Sequence, residues 1–138
     1  MKTELFLIDT SVWITVLKKN PPEVMKERIE HLLLENVVAI TPIIKVELLG
    51  GCKNELEFQR LQKRLDSLIL LDINPHIWAE TASLAFDLRR KGVTVPYTDT
   101  LIAAVAVHHK AVLLHLDKHY DIIASQTALK AENMLVQD

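Results

Sequence analysis

Cysteine is nearly missing from this chain: Cys52 stands alone among 138 residues. One thiol closes no intramolecular disulfide, so the sequence points to a reducing, cytoplasmic compartment. Cys52 follows Gly50-Gly51 in no pattern that makes a nucleophile, and it is expected as a small, buried or half-buried side chain. Glycine is scarce as well, at three residues, and neither Gly-x-x-x-x-Gly-Lys nor Gly-x-Gly-x-x-Gly occurs. That sets aside P-loop NTPases and dinucleotide-binding enzymes. No apolar run approaches the roughly 20 residues of a membrane span. Leu5 to Ile8 is too short for a secretory signal before Asp9 interrupts it. Neither sign of charge dominates, and the formal net charge of -2 argues against a broad nonspecific grip on nucleic acid. It leaves room for a local basic rim. Low-complexity stretches, linkers and internal repeats are absent. With 49 % apolar residues, the chain is expected to be one domain, residues 1–138, with ample material for a core.

Short apolar runs alternate with helical spacing along the whole length. Leu5 to Ile8 and Val37 to Ile40 read as buried strands, Leu68 to Ile73 and Ala111 to Leu116 as a third and a fourth, and Asn133 to Val136 is a candidate fifth. Between them, helices are expected over Val12 to Lys19, capped by Thr10 or Ser11, and over Pro22 to Glu35. Others follow from Thr41-Pro42 to Gly50-Gly51, from Glu55 to Asp66, and from Asn74-Pro75 to about Lys91. Thr98-Asp99 reads as the cap of an almost wholly apolar helix, Leu101 to Val107. This order predicts an α/β fold: a central parallel sheet of four to five strands covered by helices on both faces. Ligands of such sheets gather beyond the carboxyl ends of the strands.

Four acidic residues fall at junctions that lead to that end: Asp9, Glu47, Asp99 and Asp117, each in apolar company. Each alone has an ordinary reading as a cap, a strand end or a local ion pair. As a set they would repel one another, and burying them costs several kcal/mol without a partner. No comparably regular Lys or Arg occurs in these runs, so a hard divalent cation is the natural partner. This makes a metal-dependent phosphodiester hydrolase the leading reading. Asp121 and Asp72 are spare carboxylates, Asp121 near the site and Asp72 at a turn. The histidines are rival ligands: His115 and His119 bracket Asp117, and His108 and His109 end a helix. No His-x-x-x-His pair shares a helix with a third ligand, so no zinc site is expected. Lys18, Lys19, Lys45, Arg89, Arg90, Lys91, Lys118 and His119 are candidates for a basic rim, although any one of them is more simply a solvated helix end.

The segments Leu7 to Ile14, Glu47 on the third helix, Tyr97 to Ala106 and Leu113 to Ile123, with the Ala85 to Gly92 stretch before the third acid, resemble the PIN-domain ribonucleases, in particular VapC-type toxins of toxin–antitoxin pairs. The resemblance spans nearly the whole chain. It implies Mg2+ or Mn2+ in a carboxylate cluster and hydrolysis of RNA phosphodiesters. By position, Asp9, Glu47, Asp99 and Asp117 match the acidic quartet, with Asp9 and Asp99 the principal ligands. Thr10 or Ser11 matches the hydroxyl that supports it, and Thr98 and Asp121 are further supporting candidates. It also implies a homodimer and a VapB-like antitoxin laid over apolar surface of the first two helices. Trp13 and Tyr97 flank the motifs and could stack on a base, core packing being the simpler role for Trp13. Two alternatives stay open: a PIN nuclease of RNA processing, and a non-catalytic PIN-like module that binds RNA or protein. A phosphoryl-accepting receiver fits only loosely, through Glu4 and Lys118.

Overall fold

The computed structural model describes residues 3–135. Five strands, β1 (Phe6–Ile8), β2 (Val38–Ile40), β3 (Ile69–Leu70), β4 (Val112–His115) and β5 (Lys130–Asn133), form one parallel sheet in the order β3-β2-β1-β4-β5. The helices are α1 (Thr10–Val16), α2 (Glu23–Leu34), α3 (Pro42–Gly50), α4 (Glu55–Asp66), α5 (Pro75–Arg90), α6 (Tyr97–His109) and α7 (Lys118–Gln126). Neighbouring residues on a strand point to opposite faces of the sheet. Leu7 and Ile8, Ala39 and Ile40, and Leu113 and Leu114 are all 0 % exposed, so both faces are covered, as the continuous apolar runs predict. Each such leucine or isoleucine contributes roughly 1.5–3 kcal/mol of burial. Helix α6 is buried from Thr100 to Ala106 and packs on α5, α3, α7 and β4, which makes it the central pillar of one side.

The strand order has a consequence for function. From β1 the chain first builds β2 and β3 on one side, then returns to add β4 and β5 on the other. The reversal falls between β1 and β4, whose carboxyl ends lead directly to Asp9 and to the turn carrying Asp117. A crevice at that end is the geometric result.

Several expectations need correction. The fifth strand is Lys130–Asn133, displaced toward the amino terminus from 133–136, and Val136 lies outside the described residues. Its polar sequence hides it, although it pairs with β4 from Val112 with Lys130 through His115 with Asn133. Strand β3 keeps only two residues of the expected six-residue run, because it pairs with β2 alone at the sheet edge. Helix α6 begins at Tyr97 with Pro96, at φ -59°, in the cap position. Neither Thr98 nor Asp99 is therefore the cap; both lie inside the first turn, since the proline ring already holds a helix-compatible φ. Helix α1 is capped by Asp9, not by Thr10 or Ser11. At the end of α5, Gly92 takes φ +79° and lets the Val93 N–H return to the Leu88 carbonyl at 2.9 Å.

Candidate active site

The site is built outward from the end of β1. The Asp9 N–H donates to the Leu114 carbonyl of β4 at 2.9 Å, which fixes this residue at the crevice. Its carboxylate is only 6 % exposed and is surrounded by donors. The Ser11 N–H donates to Oδ2 at 3.1 Å and the Ser11 hydroxyl makes a short bond to the same oxygen. The Tyr120 hydroxyl lies 2.8 Å from Oδ1. Asp9 thus caps α1 and faces inward at once.

Asp99 enters from the first turn of α6, held against the site because the rest of that helix is locked in the core. Its Oδ1 lies 3.3 Å from the same Tyr120 hydroxyl, and its Oδ2 lies 3.3 Å from His119 Nδ1. Asp117 caps α7 through the His119 N–H at 2.9 Å, and its Oδ1 is 3.2 Å from His119 Nδ1. One imidazole therefore links Asp99 to Asp117, and one phenol links Asp99 to Asp9. Donor atoms of Asp99, Asp117 and His119 all lie within 4.8 Å of one another. His119 belongs to the cluster itself rather than to its rim. The α7 helix that carries it to this place starts immediately after Asp117.

Glu47 arrives differently. On α3, Ile44 and Leu48 face the core, which turns Val46 and Glu47 outward; Val46 is 65 % exposed despite its apolar neighbours. The expectation that apolar flanks bury Glu47 is thus corrected by the helical phase. Its Oε1 accepts from the Thr10 hydroxyl at 2.8 Å, beside Asp9. Thr98 is exposed, with no hydrogen bond to the acidic residues. Asp121 turns away: its Oδ2 accepts from Asn133 Nδ2 at 2.9 Å, and its Oδ1 stands 3.4 Å from His115 Nε2. Lys45, a rim candidate, is engaged by Asp66 at 2.9 Å. Trp13 is buried, and Tyr97 is 70 % exposed.

Burial pushes Asp99 above the ordinary carboxylate range, a contact with His119 partly opposes the shift, and the charges of Asp9 and Asp117 add to it. Burial and the two carboxylates push Tyr120 far up, so its hydroxyl stays a donor. His115 is 0 % exposed. Burial holds it below the usual imidazole range, against the pull of Asp121, Asp9 and Asp117. Its Nδ1 accepts from the Asp117 N–H at 3.1 Å, which steadies the cap. Among the described residues no lysine or arginine pairs with Asp9, Glu47, Asp99 or Asp117. A clustered set of hard oxygen donors with no lysine or arginine among them fits a divalent cation. Tyr120 is the member that sequence reasoning missed, and the spacing of Tyr120 and Ile123, both buried on one face of α7, was the available signal for it. His115, read from the sequence as a rival metal ligand, steadies the Asp117 cap instead.

With this geometry in place, the comparisons are specific. The PIN domain family model matches residues 6–126, and the chain belongs to that family. Its relatives place it among the VapC ribonucleases. Ribonuclease VapC11 of Mycobacterium tuberculosis is 30 % identical over 92 % of this chain and 97 % of the relative. Ribonuclease VapC51 of the same organism is 31 % identical over 88 % and 87 %. Among solved structures, VapBC2 from Rickettsia felis bound to a DNA fragment from their promoter superposes with a TM-score of 0.78 at 25 % identity, covering 94 % of this chain and 98 % of that one. The DNA-bound VapBC of Salmonella typhimurium gives 0.75 at 25 % identity, over 95 % and 98 %.

Proposed function

We propose that this chain is the toxin of a VapBC-type toxin–antitoxin pair: a Mg2+- or Mn2+-dependent endoribonuclease, with residues 1–138 forming one nuclease domain. The observation that carries the reading is the convergence of Asp9, Asp99 and Asp117 at the switch point of the sheet with no lysine or arginine to neutralise them among the described residues. Asp9 and Asp99 would be the principal ligands, with Asp117 and Glu47 completing the set. A bound ion would polarise the scissile phosphate and lower the pKa of attacking water. The protein's own groups do the rest. Ser11 and Tyr120 fix both oxygens of Asp9, His119 ties Asp117 to Asp99, and Thr10 aims Glu47, the exposed carboxylate, at the water it would orient. Attack by water on the phosphorus with the 3′ oxygen as leaving group gives a 3′-hydroxyl and a 5′-phosphate; a 2′,3′-cyclic phosphate would mean that the RNA attacked itself.

The partners follow from the same reading. Leu17, which ends α1 and is 42 % exposed, borders a groove of about 220 Å³ that is also lined by Trp13, Leu33, Leu61, Arg64 and Leu68. A largely apolar antitoxin segment would lie there. Trp78 and Phe86 on α5, 55 % and 60 % exposed, offer apolar surface for a second copy. No helix among the described residues is long and apolar enough to cross a membrane, and cytoplasmic action follows from the single cysteine.

The test is cleavage of total RNA by the purified, antitoxin-free protein with Mg2+ or Mn2+, beside Asp9→Asn and Asp99→Asn. Discrete metal-dependent cuts that vanish in both variants are expected. Folded protein that cuts nothing with any divalent ion would leave a binding module in place of the nuclease.

A further inference from the structure

Tyr120 is 0 % exposed, and its ring packs beside His115 with centroids 5.1 Å apart. A phenylalanine would fill that space equally well, so packing explains the ring and not the oxygen. The oxygen sits between Asp9 Oδ1 at 2.8 Å and Asp99 Oδ1 at 3.3 Å. These two acids come from elements far apart in sequence, the end of β1 and the first turn of α6, and among the described residues no other side chain is bonded to both. We propose that the Tyr120 hydroxyl is a positioning residue of the metal centre, holding Asp9 and Asp99 together so that both can ligate one divalent cation. The inference rests on the nuclease reading above.

The chemistry supports a positioning role over a catalytic one. A phenol carries one proton and must share it between two acceptors. A carboxylate oxygen has two lone pairs, so the hydroxyl takes one on Asp9 Oδ1 and leaves ligand capacity on both acids. Without the oxygen, two like charges in a poorly solvated site lose their common donor and repel across the gap. Among the described residues, Asp9 keeps apart from Tyr120 only Ser11, on its other oxygen, and Asp99 keeps only His119, also on its other oxygen. The facing oxygens are the ones that would drift. Groups that orient metal ligands in this way typically govern affinity by 10–100-fold.

The experiment is Mn2+ binding by calorimetry to the intact, antitoxin-free protein and its Tyr120→Phe variant, with cleavage followed across a Mn2+ series. The expected result is a Mn2+ dissociation constant raised roughly 10–100-fold, with cleavage at saturating Mn2+ restored to within about threefold. A variant that binds Mn2+ within about twofold of the parent, or more tightly, overturns the inference while leaving the nuclease reading intact. A parent chain that binds no Mn2+ strikes at the nuclease reading and takes this one with it. If Tyr120→Phe does not fold, the parent alone decides by NMR. A slowly exchanging Tyr120 hydroxyl proton whose resonance shifts with the midpoint of Mg2+ binding supports the role; one that exchanges freely and ignores Mg2+ overturns it.

Discussion

The acidic site has two unlike halves. The inner half is Asp9, Asp99 and Tyr120: Asp9 is 6 % exposed, Tyr120 0 %, and the Asp99 side chain 19 %. The outer half is Asp117, His119 and Glu47, with the side chains of Asp117 and His119 at 40 % and 39 % exposure and Glu47 facing solvent. Inner carboxylates share the Tyr120 hydroxyl fixed in the core, with Asp9 also held in the cap of α1 and Asp99 also reached by the His119 imidazole. Outer ones are held by an imidazole and a threonine that water also reaches. Charge removal should therefore reach stability in the inner half and only chemistry in the outer half, because a buried like-charge contact is weakly screened.

The largest expected effect tests the inner half. Asp99→Asn should lower RNA cleavage by roughly 10²–10³-fold or more, the scale at which one electrostatic stabiliser of a transition state is lost. The same change should stabilise the metal-free protein at neutral pH, since it deletes a carboxylate whose ionised form is disfavoured by burial and by Asp9 and Asp117. Thermal melts in chelator would check it. A lower melting temperature would break the contrast between the halves.

A pH series sharpens the point. The folded-state pKa of Asp99 is raised, so over the window from the ordinary carboxylate value, near 3.8, up through that raised value the folded chain holds more of its proton than the unfolded chain does. Stability from this group is complete below the window and is lost as pH rises through it. His115 works the other way. Its folded pKa is lowered from 6.5, so its contribution is present above 6.5 and is lost as pH falls below it. Chelated parent and Asp99→Asn melted side by side separate the two: the Asp99 contribution is the part that disappears in the variant, and saturating Mg2+ should abolish it in the parent. Parallel curves at all pH values would remove the basis for a charge-strained inner half.

In the outer half Glu47→Gln should slow cleavage by about tenfold while leaving stability within about 0.5 kcal/mol. Steady-state kinetics and a denaturant titration read the two separately. A large loss of stability would show Glu47 to be structural and would erase the distinction from Asp9.

The same division decided what could be read from the chain. Asp9 and Asp117 were legible because each ends a run of apolar residues, and burial on both faces of a parallel sheet leaves such runs unbroken until the strand stops. Asp99 was legible through the buried helix that follows it. Glu47 was found for a partly mistaken reason, since its apolar neighbours Val46 and Leu48 lie on opposite sides of α3. Tyr120 escaped because a tyrosine in a half-apolar helix looks like core until the bond from its oxygen is seen, and that bond spans 111 residues of sequence. Strand β5 was misplaced because Lys-Ala-Glu-Asn carries no strand signal. Its register depends on its partner β4 and on contacts such as Glu132 with Arg28 at 3.0 Å, which no local pattern encodes.

The smallest expected effect concerns two threonines that occupy first turns next to an acidic residue. Thr10 and Thr98 look alike in sequence, and both stood as supporting candidates. The Thr10 hydroxyl donates to Glu47 at 2.8 Å, whereas Thr98 is exposed with no such bond. A hydrogen bond to a charged acceptor at a partly solvated position is worth about 1.5 kcal/mol at the low end of its range. Solvent competes for Glu47, so Thr10→Val should slow cleavage by roughly two- to fivefold, through the aim of Glu47 alone. Thr98→Val should change cleavage by less than about twofold and stability by less than about 0.5 kcal/mol. Combining Thr10→Val with Glu47→Gln distinguishes the routes: if the hydroxyl acts only by orienting that carboxylate, the double variant should be no slower than Glu47→Gln by itself. Additive losses would mean that Thr10 touches the reaction independently and that the outer half has one more working member than its exposed carboxylates.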